Sequence, residues 1–308
     1  SLIPMVYYHV WDNLPYPTFN KVWYDSTDTV VAISKVTHDI VKNVAPDVDL
    51  HYLPHSVDPQ FFKPLQEEEI EEVKEKSNFE KDKFLIFWNN RNARRKHSGT
   101  LIFWFKKFLD KVGHENATLL MHTDPHDSNG PNLQAIIHNL GLTSGQVKFS
   151  TSKLEFAQLA ALYNMADVTV NISDAEGFGL STLESLSCGT PIVVNMTGGL
   201  QEQVTNGEEW FGVGLEPVSK CVIGSQEIPF IYEDRISEND FVEALEKIYN
   251  MSKEERKKLG LRGRNHVLEN YNFDKYVLRW DLLLKEIHEK CGSWETRKGY
   301  KTWELREV

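Results

Sequence analysis

Short apolar segments alternate with helix-length segments along most of this chain, and that alternation limits its possible folds more than any other feature. Strands that are apolar on both faces and separated by helices pair in parallel, with helices covering both sides of the sheet. The sequence therefore predicts an α/β fold of the doubly wound type. The predicted strands of the longer series are Phe84–Trp88, Thr118–His122, Val147–Phe149, Asp167–Ile172 and Pro191–Val194.

A charge-rich segment, Pro64–Lys83, separates this series from a shorter one nearer the start of the chain. A run of charges is typical of a solvent-exposed helix or linker. We therefore predict a partial domain with its linker in residues 1–75 and a larger domain in residues 76–272. The shorter series has predicted strands at Ile3–Tyr8, Thr29–Ser34 and Leu50–Leu53.

The end of the chain divides into a predicted helix and a tail. Residues 273–290 place apolar side chains at helical spacing, which predicts a long final helix. Residues 291–308 are polar, with two tryptophans, and show no pattern that assigns them a structure.

The composition disfavours several classes of function. With 34 Lys and Arg against 45 Asp and Glu, the net charge is −11, which argues against a general nucleic-acid binder. No apolar stretch reaches the roughly 18–20 residues of a transmembrane helix, and no signal-peptide pattern opens the chain. The 3 cysteines show neither a disulfide framework nor zinc spacing, which favours a cytoplasmic protein.

The segment Asp174–Glu184 carries the clearest chemical signal. Gly177 and Gly179 mark a tight turn directly after a predicted strand, and a helix begins just beyond them. The backbone N–H groups and the positive end of a helix dipole attract an anion at such a turn. Glu176 and Glu184 add carboxylates that accept hydrogen bonds from hydroxyls. A ligand with both phosphates and hydroxyls, such as a nucleotide sugar, fits this arrangement.

A basic cluster follows the first strand of the longer series. It runs from Arg91 to Lys96, with Arg94 and Arg95 between them. Arginine offers phosphate oxygens a bidentate fork, and lysine offers a point charge. Taken alone, the cluster is more typical of an exposed basic loop. The phosphate-binding interpretation depends on the order in which it occurs with the other motifs.

Together these segments resemble the retaining glycosyltransferases of family 4, which have the GT-B fold of two facing Rossmann-like domains. The resemblance runs from residue 1 to about residue 290. Four motifs carry it, and they occur in the family's order: Leu53–Asp58 with Phe62 and Pro64, the pair Arg91 and Lys96, the Glu-x7-Glu motif from Glu176 to Glu184, and the Gly-Gly-x-x-Glu element from Gly198 to Glu202.

The resemblance implies a fold with a complete Rossmann-like donor-binding domain, an incomplete N-terminal one and a final helix that crosses back to it. It implies that Glu176 contacts the transferred sugar and that Glu184 holds the ribose hydroxyls. His9, at the end of the first predicted strand, is implied to reach across the cleft to the sugar. The catalytic residues implied in this way are Glu176, His9, Arg91 and Lys96, the last two holding the donor diphosphate. Further donor-binding residues implied are Gly177, Phe178, Gly179, Leu180 and Thr182.

The implied activity is transfer of a hexosyl group from a UDP- or GDP-sugar, with retention at the anomeric carbon and without a metal or cofactor. The acceptor is a glycan, a lipid or a small molecule, and the sequence does not distinguish these. Two alternatives remain open: a nucleotide-sugar-binding module that transfers nothing, and a GT-B sugar-nucleotide epimerase. Asp47–Asp49 and His122–Asp127 contain metal-binding residue types. However, Asp47–Asp49 lies just before a predicted short strand, and the composition of His122–Asp127 is typical of a turn, so we expect no metal at either.

Two features depart from the family pattern. A glycine usually follows the lysine of the basic cluster, and here His97 stands in its place. The segment before Leu53–Asp58 is also short for a domain, since about 100–150 residues are typical. The family's first strand and its glycine-rich turn have no counterpart here. We expect a second copy, another partner or the final helix to cover the incomplete sheet.

Overall fold

The computed structural model describes residues 2–299, which form two parallel sheets and a hairpin. The first sheet has the strand order β1-β2-β3. Its central strand is fully buried, whereas Tyr7 of the edge strand β1 is exposed, as are Ile3 and Met5 just before it. The partner expected to cover this edge stays a prediction. Its elements are β1 (Val6–His9), α1 (Lys21–Asp25), β2 (Thr29–Ala32), α2 (Lys35–Val44) and β3 (Leu50–Tyr52).

The second sheet has the parallel strand order β6-β5-β4-β7-β8-β9. Its strands are β4 (Phe84–Asn89), β5 (Ala117–His122), β6 (Val147–Ser150), β7 (Val168–Asn171), β8 (Ile192–Asn195) and β9 (Gly212–Leu215). The chain reverses its direction of travel through the sheet between β4 and β7. The loops after these two strands therefore diverge and leave a crevice at their carboxyl ends. The predicted α/β fold with parallel sheets is confirmed.

Helices cover both faces of this sheet, and strand β4 shows why. Ile86 and Trp88 belong to a core cluster with Phe105, whereas Leu85 and Phe87 belong to the cluster on the other face. A strand buried on both sides needs no polar face, so the alternation of polar and apolar residues is absent from β4. The helices are α3 (Glu67–Lys76), α4 (Ser98–Val112), α5 (Leu133–Asn139), α6 (Phe156–Met165), α7 (Leu180–Ser187), α8 (Leu200–Val204), α9 (Glu238–Tyr249) and α10 (Lys253–Asn270).

The final helix, α11 (Phe273–Cys291), packs against the first sheet. Leu283 and Ile287 join the core cluster of Val31 and Leu53, and the Arg279 guanidinium donates to the Tyr52 carbonyl at 2.8 Å. The last part of the unassigned tail, residues 300–308, lies outside the described residues.

An antiparallel hairpin lies between β9 and α9, in a stretch where the sequence predicted no element. Its strands are β10 (Ser219–Ile223) and β11 (Ile231–Arg235). The Tyr232 backbone N–H donates to the Leu14 carbonyl at 2.6 Å, and Asn13 Nδ2 donates to the Tyr232 carbonyl at 2.7 Å. The hairpin therefore joins the second sheet's domain to the loop that follows β1.

Candidate functional site

A cleft of about 770 Å³ lies where the carboxyl ends of the two sheets face each other. The loop after β1 lines one side, and the loops after β4 and β7 line the other. Ligands of open α/β sheets bind in this position, outside the strand ends at the point where the strand order reverses. The lining residues from the second sheet's loops are Asn89, Asn90, Arg94, Arg95, Lys96 and residues 175–181.

Lys96 and Glu176 form an ion pair at the base of this cleft. Both are nearly buried, with 7% and 8% of their surfaces exposed, and Asn171 Nδ2 lies 3.3 Å from the same glutamate oxygen. Burial lowers the pKa of the Lys96 ammonium, and the Glu176 carboxylate opposes that effect. A buried charge needs a partner, and each of these two side chains supplies one to the other.

Two arginines extend the positive charge from Lys96 along the cleft. Arg95 Nη1 donates to the Ala175 carbonyl at 2.6 Å and lies 3.9 Å from Glu176 Oε2. Arg94 makes a bidentate pair with the buried Glu233 of β11, at 2.7 and 3.0 Å. Both guanidinium groups are partly exposed to the cleft, so they remain available to an anion there.

His97 takes the backbone conformation that a glycine usually supplies at this position in the family. Its φ of 56° is left-handed, a region that favours glycine. Its ring Nε2 lies 2.6 Å from a carboxylate oxygen of the buried Asp174. A histidine therefore forms the left-handed turn that precedes α4.

Arg91 lies apart from Lys96 in the structure. Its Nε donates to Asp127 Oδ2 at 2.6 Å, its side chain is 66% exposed, and the pair holds the pKa of the Asp127 carboxyl well below its usual range. The basic side chains that line the cleft are Arg94, Arg95 and Lys96. Arg91 is not among the residues that line the cleft, and its expected role in holding the diphosphate stays a prediction.

The glycine turn of the 174–184 segment is closely packed. A Cβ on Gly177 would overlap Val10 Cγ2 of the facing loop, and one on Gly179 would lie 2.6 Å from Leu200 Cδ2. Gly179 also has φ 92° at the N-cap of α7. The backbone of Gly179 therefore favours glycine, and Gly177 lets the facing loop approach this closely.

Phe178 and Thr182 fix the same turn from within. The Phe178 ring meets His55 and Tyr271 edge-on, at centroid distances of 5.4 and 5.8 Å. Thr182 Oγ1 lies 2.8 Å from the Gly179 carbonyl and 2.7 Å from a side-chain oxygen of Gln203. Leu180 is half exposed and lines the cleft.

Glu184 lies at the other end of a short hydrogen-bond chain. Asn89 Nδ2 donates to the Tyr163 hydroxyl at 2.8 Å, and that hydroxyl donates to Glu184 Oε2 at 2.6 Å. Burial raises the pKa of the Glu184 carboxyl to about 7. Asn89 lines the cleft, so the chain connects Glu184 to the ligand space.

The structure places His9 inside the first sheet's domain. Its Nε2 lies 2.8 Å from the Tyr24 hydroxyl, 3% of its surface is exposed, and burial lowers its pKa to about 4. Asp12, three residues further on, lines the cleft, and burial together with Glu176 raises its pKa. In this structure the His9 ring faces Tyr24 and not the cleft, and its expected contact with the sugar stays a prediction. Asp12 occupies the corresponding side of the cleft.

Glu202, the last residue of the Gly-Gly-x-x-Glu element, joins the two domains. Its carboxylate accepts from the Lys35 backbone N–H at 2.6 Å and from the Tyr52 hydroxyl at 2.5 Å. Tyr271 donates to its carbonyl at 3.1 Å. The motif could be recognised from sequence, but these partners lie too far along the chain to be predicted.

Residues 2–299 show neither a metal cluster nor a membrane-spanning helix. They contain no group of three His, Cys, Asp or Glu side chains placed to hold a metal ion. None of the helices described in this range is long and apolar enough to cross a membrane.

Comparisons with known proteins agree with the cleft's geometry. The model of the family described as "Glycosyl transferases group 1" matches residues 69–266. The N-acetyl-alpha-D-glucosaminyl L-malate synthase of Bacillus anthracis is 26% identical over 240 residues, which are 75% of this chain and 58% of that protein. This chain therefore spans a little over half of that relative.

Solved structures show the same fold. Sucrose-phosphate synthase from Thermosynechococcus elongatus superposes with a TM-score of 0.71 at 22% identity, over 88% of this chain and 61% of the other. Anabaena Alr3699/HepE, solved in complex with UDP and glucose, has a TM-score of 0.70 at 15% identity, over 92% of this chain and 71% of the other. The GT-B type of the fold is thereby confirmed.

Proposed function

The chain belongs to the glycosyl transferases group 1 family, and from that premise we propose that it transfers a sugar from a nucleotide-sugar donor to an acceptor hydroxyl. The observation that carries the proposal is the buried pair of Lys96 and Glu176 in the cleft. A cation for a diphosphate and a carboxylate for sugar hydroxyls stand side by side there. The donor fits this combination because it carries both groups next to the bond that breaks.

Lys96 and Arg95 act on the leaving group in this proposal. The nucleoside diphosphate gains negative charge as the glycosidic bond breaks, and cations placed against it stabilise the transition state. Arg91 acts on the leaving group as well, once its guanidinium releases Asp127 and binds a phosphate oxygen. Since side chains supply the positive charge, we propose that no metal or other cofactor is required.

Glu176 and Glu184 divide the donor's hydroxyls between them. Glu176 receives the transferred sugar, which lies beside Lys96. Glu184 holds the ribose, with Tyr163 and Asn89 leading from it to the cleft. The donor is a UDP- or GDP-sugar, and support for the first comes from HepE, which was solved with UDP and with UDP-glucose.

Retention at the anomeric carbon is proposed from the resemblance to family 4 alone. The mechanism favoured for those enzymes is a front-face one, in which the donor phosphate helps to deprotonate the acceptor hydroxyl. Asp12 is the carboxylate of the facing loop that lines the cleft, and we propose that it orients the acceptor.

A turnover assay tests this function. The chain is incubated with UDP- and GDP-sugars, and release of the nucleoside diphosphate is followed with and without acceptors. We expect slow release in water, faster release with an accepted hydroxyl, and loss of both in Glu176→Ala. Donor binding without release, unchanged by Glu176→Ala, would identify a nucleotide-sugar-binding module instead.

A further inference from the structure

The β10–β11 hairpin presents two different faces. Ile231 pairs with Ile223 across the hairpin, and Tyr232 pairs with Val222. Because successive residues of a strand point to opposite sides, the isoleucine pair and the Tyr232 pair lie on opposite faces. Glu233 lies two residues beyond Ile231 and shares its face.

The bonds at the base of the hairpin direct the isoleucine face into the cleft. Glu233 binds Arg94 through both carboxylate oxygens, and Arg94 belongs to the loop after β4. Tyr232, on the opposite face, lines a separate cavity beside α2 together with Asp234. The hairpin thus separates the cleft, on its isoleucine side, from the cavity beside α2, on its other side.

Three partly buried isoleucines line the cleft from this hairpin, and we call them the isoleucine wall: Ile223, Ile228 and Ile231. Val10 and Trp11 line the same cleft from the loop after β1. An isoleucine side chain has no hydrogen-bonding group, so it recognises neither hydroxyls nor phosphates. Its contact with a ligand favours binding by removing apolar surface from water.

The isoleucine wall and the residues assigned to the nucleotide belong to different elements. Asn89 and Tyr163 lie in β4 and α6, whereas the three isoleucines lie in the hairpin between β9 and α9. A donor that extends from Lys96 toward Glu184 therefore leaves the isoleucine wall to the second substrate.

We propose that the isoleucine wall binds an aliphatic group of the acceptor, carried next to the hydroxyl that is glycosylated. This inference rests on the proposed function, because it assumes that the donor occupies the side of Lys96 and Glu184. It assigns acceptor choice in part to the hairpin.

Methyl β-glucoside and n-octyl β-glucoside are the probes for this proposal, since they differ only in aliphatic length. Calorimetry measures their binding to the full chain saturated with its preferred sugar nucleotide, at glucoside concentrations below micelle formation. Each methylene that becomes buried raises affinity about fourfold. We expect the octyl glucoside to bind at least about tenfold more tightly than the methyl glucoside.

Variants locate the effect. Ile228→Ser and Ile231→Ser are expected to bring the two glucosides to nearly equal affinity. Val222→Ser is the matched control, because Val222 is 63% exposed on the other face of the hairpin, and it should leave the octyl preference intact. All three variants should keep the donor affinity of the unsubstituted chain.

Three results would overturn the proposal: equal binding of the two glucosides, binding of neither, or an octyl preference that survives both isoleucine substitutions. A loss of donor affinity in Ile231→Ser would place the nucleotide on the isoleucine wall, which also contradicts it. Donor binding is measured first and without glucoside. If no donor binds, the proposed function is contradicted. If the donor binds but the glucosides do not behave as expected, only the inference about the acceptor is contradicted.

Discussion

Lys96 and Glu176, eighty positions apart in the chain, neutralise each other at the base of the cleft. A donor that enters this site exchanges that contact for two others, a phosphate on the lysine and sugar hydroxyls on the glutamate. Each side chain therefore has a hydrogen-bonding partner both before and after the donor enters, which limits the cost of burying it.

Lys96→Met should reduce both stability and activity. It removes the nearest cation of the buried Glu176 carboxylate, and breaking such a buried pair typically costs about 3–5 kcal/mol of unfolding free energy. Loss of one charge-stabilising group should lower kcat by about a hundredfold or more. Urea unfolding and donor turnover measure the two effects.

The matched control for that variant is Lys106→Met. Lys106 pairs with Asp110 at 2.8 Å on the exposed face of α4, and such pairs contribute below about 1 kcal/mol. Equal losses of stability in the two methionine variants would show that the Lys96 pair behaves like a surface contact.

Stability should depend on pH through Glu184. Its pKa is raised to about 7 in the folded chain, from an ordinary value near 4.5, because it is buried. Between these values the folded chain holds a proton that the unfolded chain has lost. The free energy of unfolding therefore falls as pH rises through this window, by about 3 kcal/mol in total.

Glu184→Gln should remove this contribution, so the variant gains stability relative to the unsubstituted chain as pH rises from 5 to 8. Urea unfolding at the two pH values gives the comparison. Glu243→Gln, at an exposed position of α9, is the control and should leave the pH dependence as it is. The same pH dependence in both variants would show that Glu184 does not titrate in this window.

Donor affinity should fall on acidification for the same reason. Ribose hydroxyls donate to a carboxylate, and a carboxyl with a pKa of about 7 is mostly protonated at pH 6. Affinity should drop about tenfold between pH 8 and pH 6. Calorimetry measures it, and an affinity that does not change with pH would remove Glu184 from the ribose site.

Arg91 and Asp127 should have opposite effects on donor binding. The carboxylate holds the guanidinium at 2.6 Å, so it competes with a phosphate for it. Asp127→Asn should strengthen donor binding by a few-fold, and Arg91→Ala should weaken it. If the gain from Asp127→Asn persists in the double variant, Arg91 is not a donor ligand.

Gly179→Ala should disrupt the turn beneath the donor. The new Cβ would lie 2.6 Å from Leu200 Cδ2 and 2.9 Å from Thr182 Oγ1, at a φ of 92°. Gly145 has a similar φ of 84°, and a Cβ there would meet no described atom within 4 Å. Gly145→Ala should therefore cost only the conformational strain, about 1–2 kcal/mol. Donor affinity should fall only in Gly179→Ala, and an equal fall in both would contradict the packing account.

The strands and the glycine turn were predictable because their signals are local. The apolar run of β4 and the two glycines after β7 depend only on residues nearby in the sequence. Parallel pairing follows from the alternation of strands and helices along the chain. Which side chains face the cleft was harder. His9 turns inward to Tyr24, fifteen positions away, and no local pattern reveals such a partner.

The basic cluster and the hairpin show the same limit. Arg91, Arg94 and Arg95 are equivalent in sequence, but the short turn at Arg94–Lys96 directs the last two to the cleft while Asp127 holds the first. The hairpin strands are short, and their exposed polar residues leave only a weak alternation. The contact of Glu233 with Arg94 spans 139 positions and depends on the completed fold.

Binding of nucleotide sugars to the cleft tests the central claim most directly. Thermal unfolding is measured for the unsubstituted chain and for Lys96→Met across a panel of UDP-, GDP- and ADP-sugars. We predict that at least one UDP- or GDP-sugar stabilises the unsubstituted chain, by about 2.7 kcal/mol at 100 times its Kd, and that Lys96→Met loses this stabilisation. Stabilisation by none of the panel, or equal stabilisation of both proteins, would contradict the assignment of this cleft as the donor site.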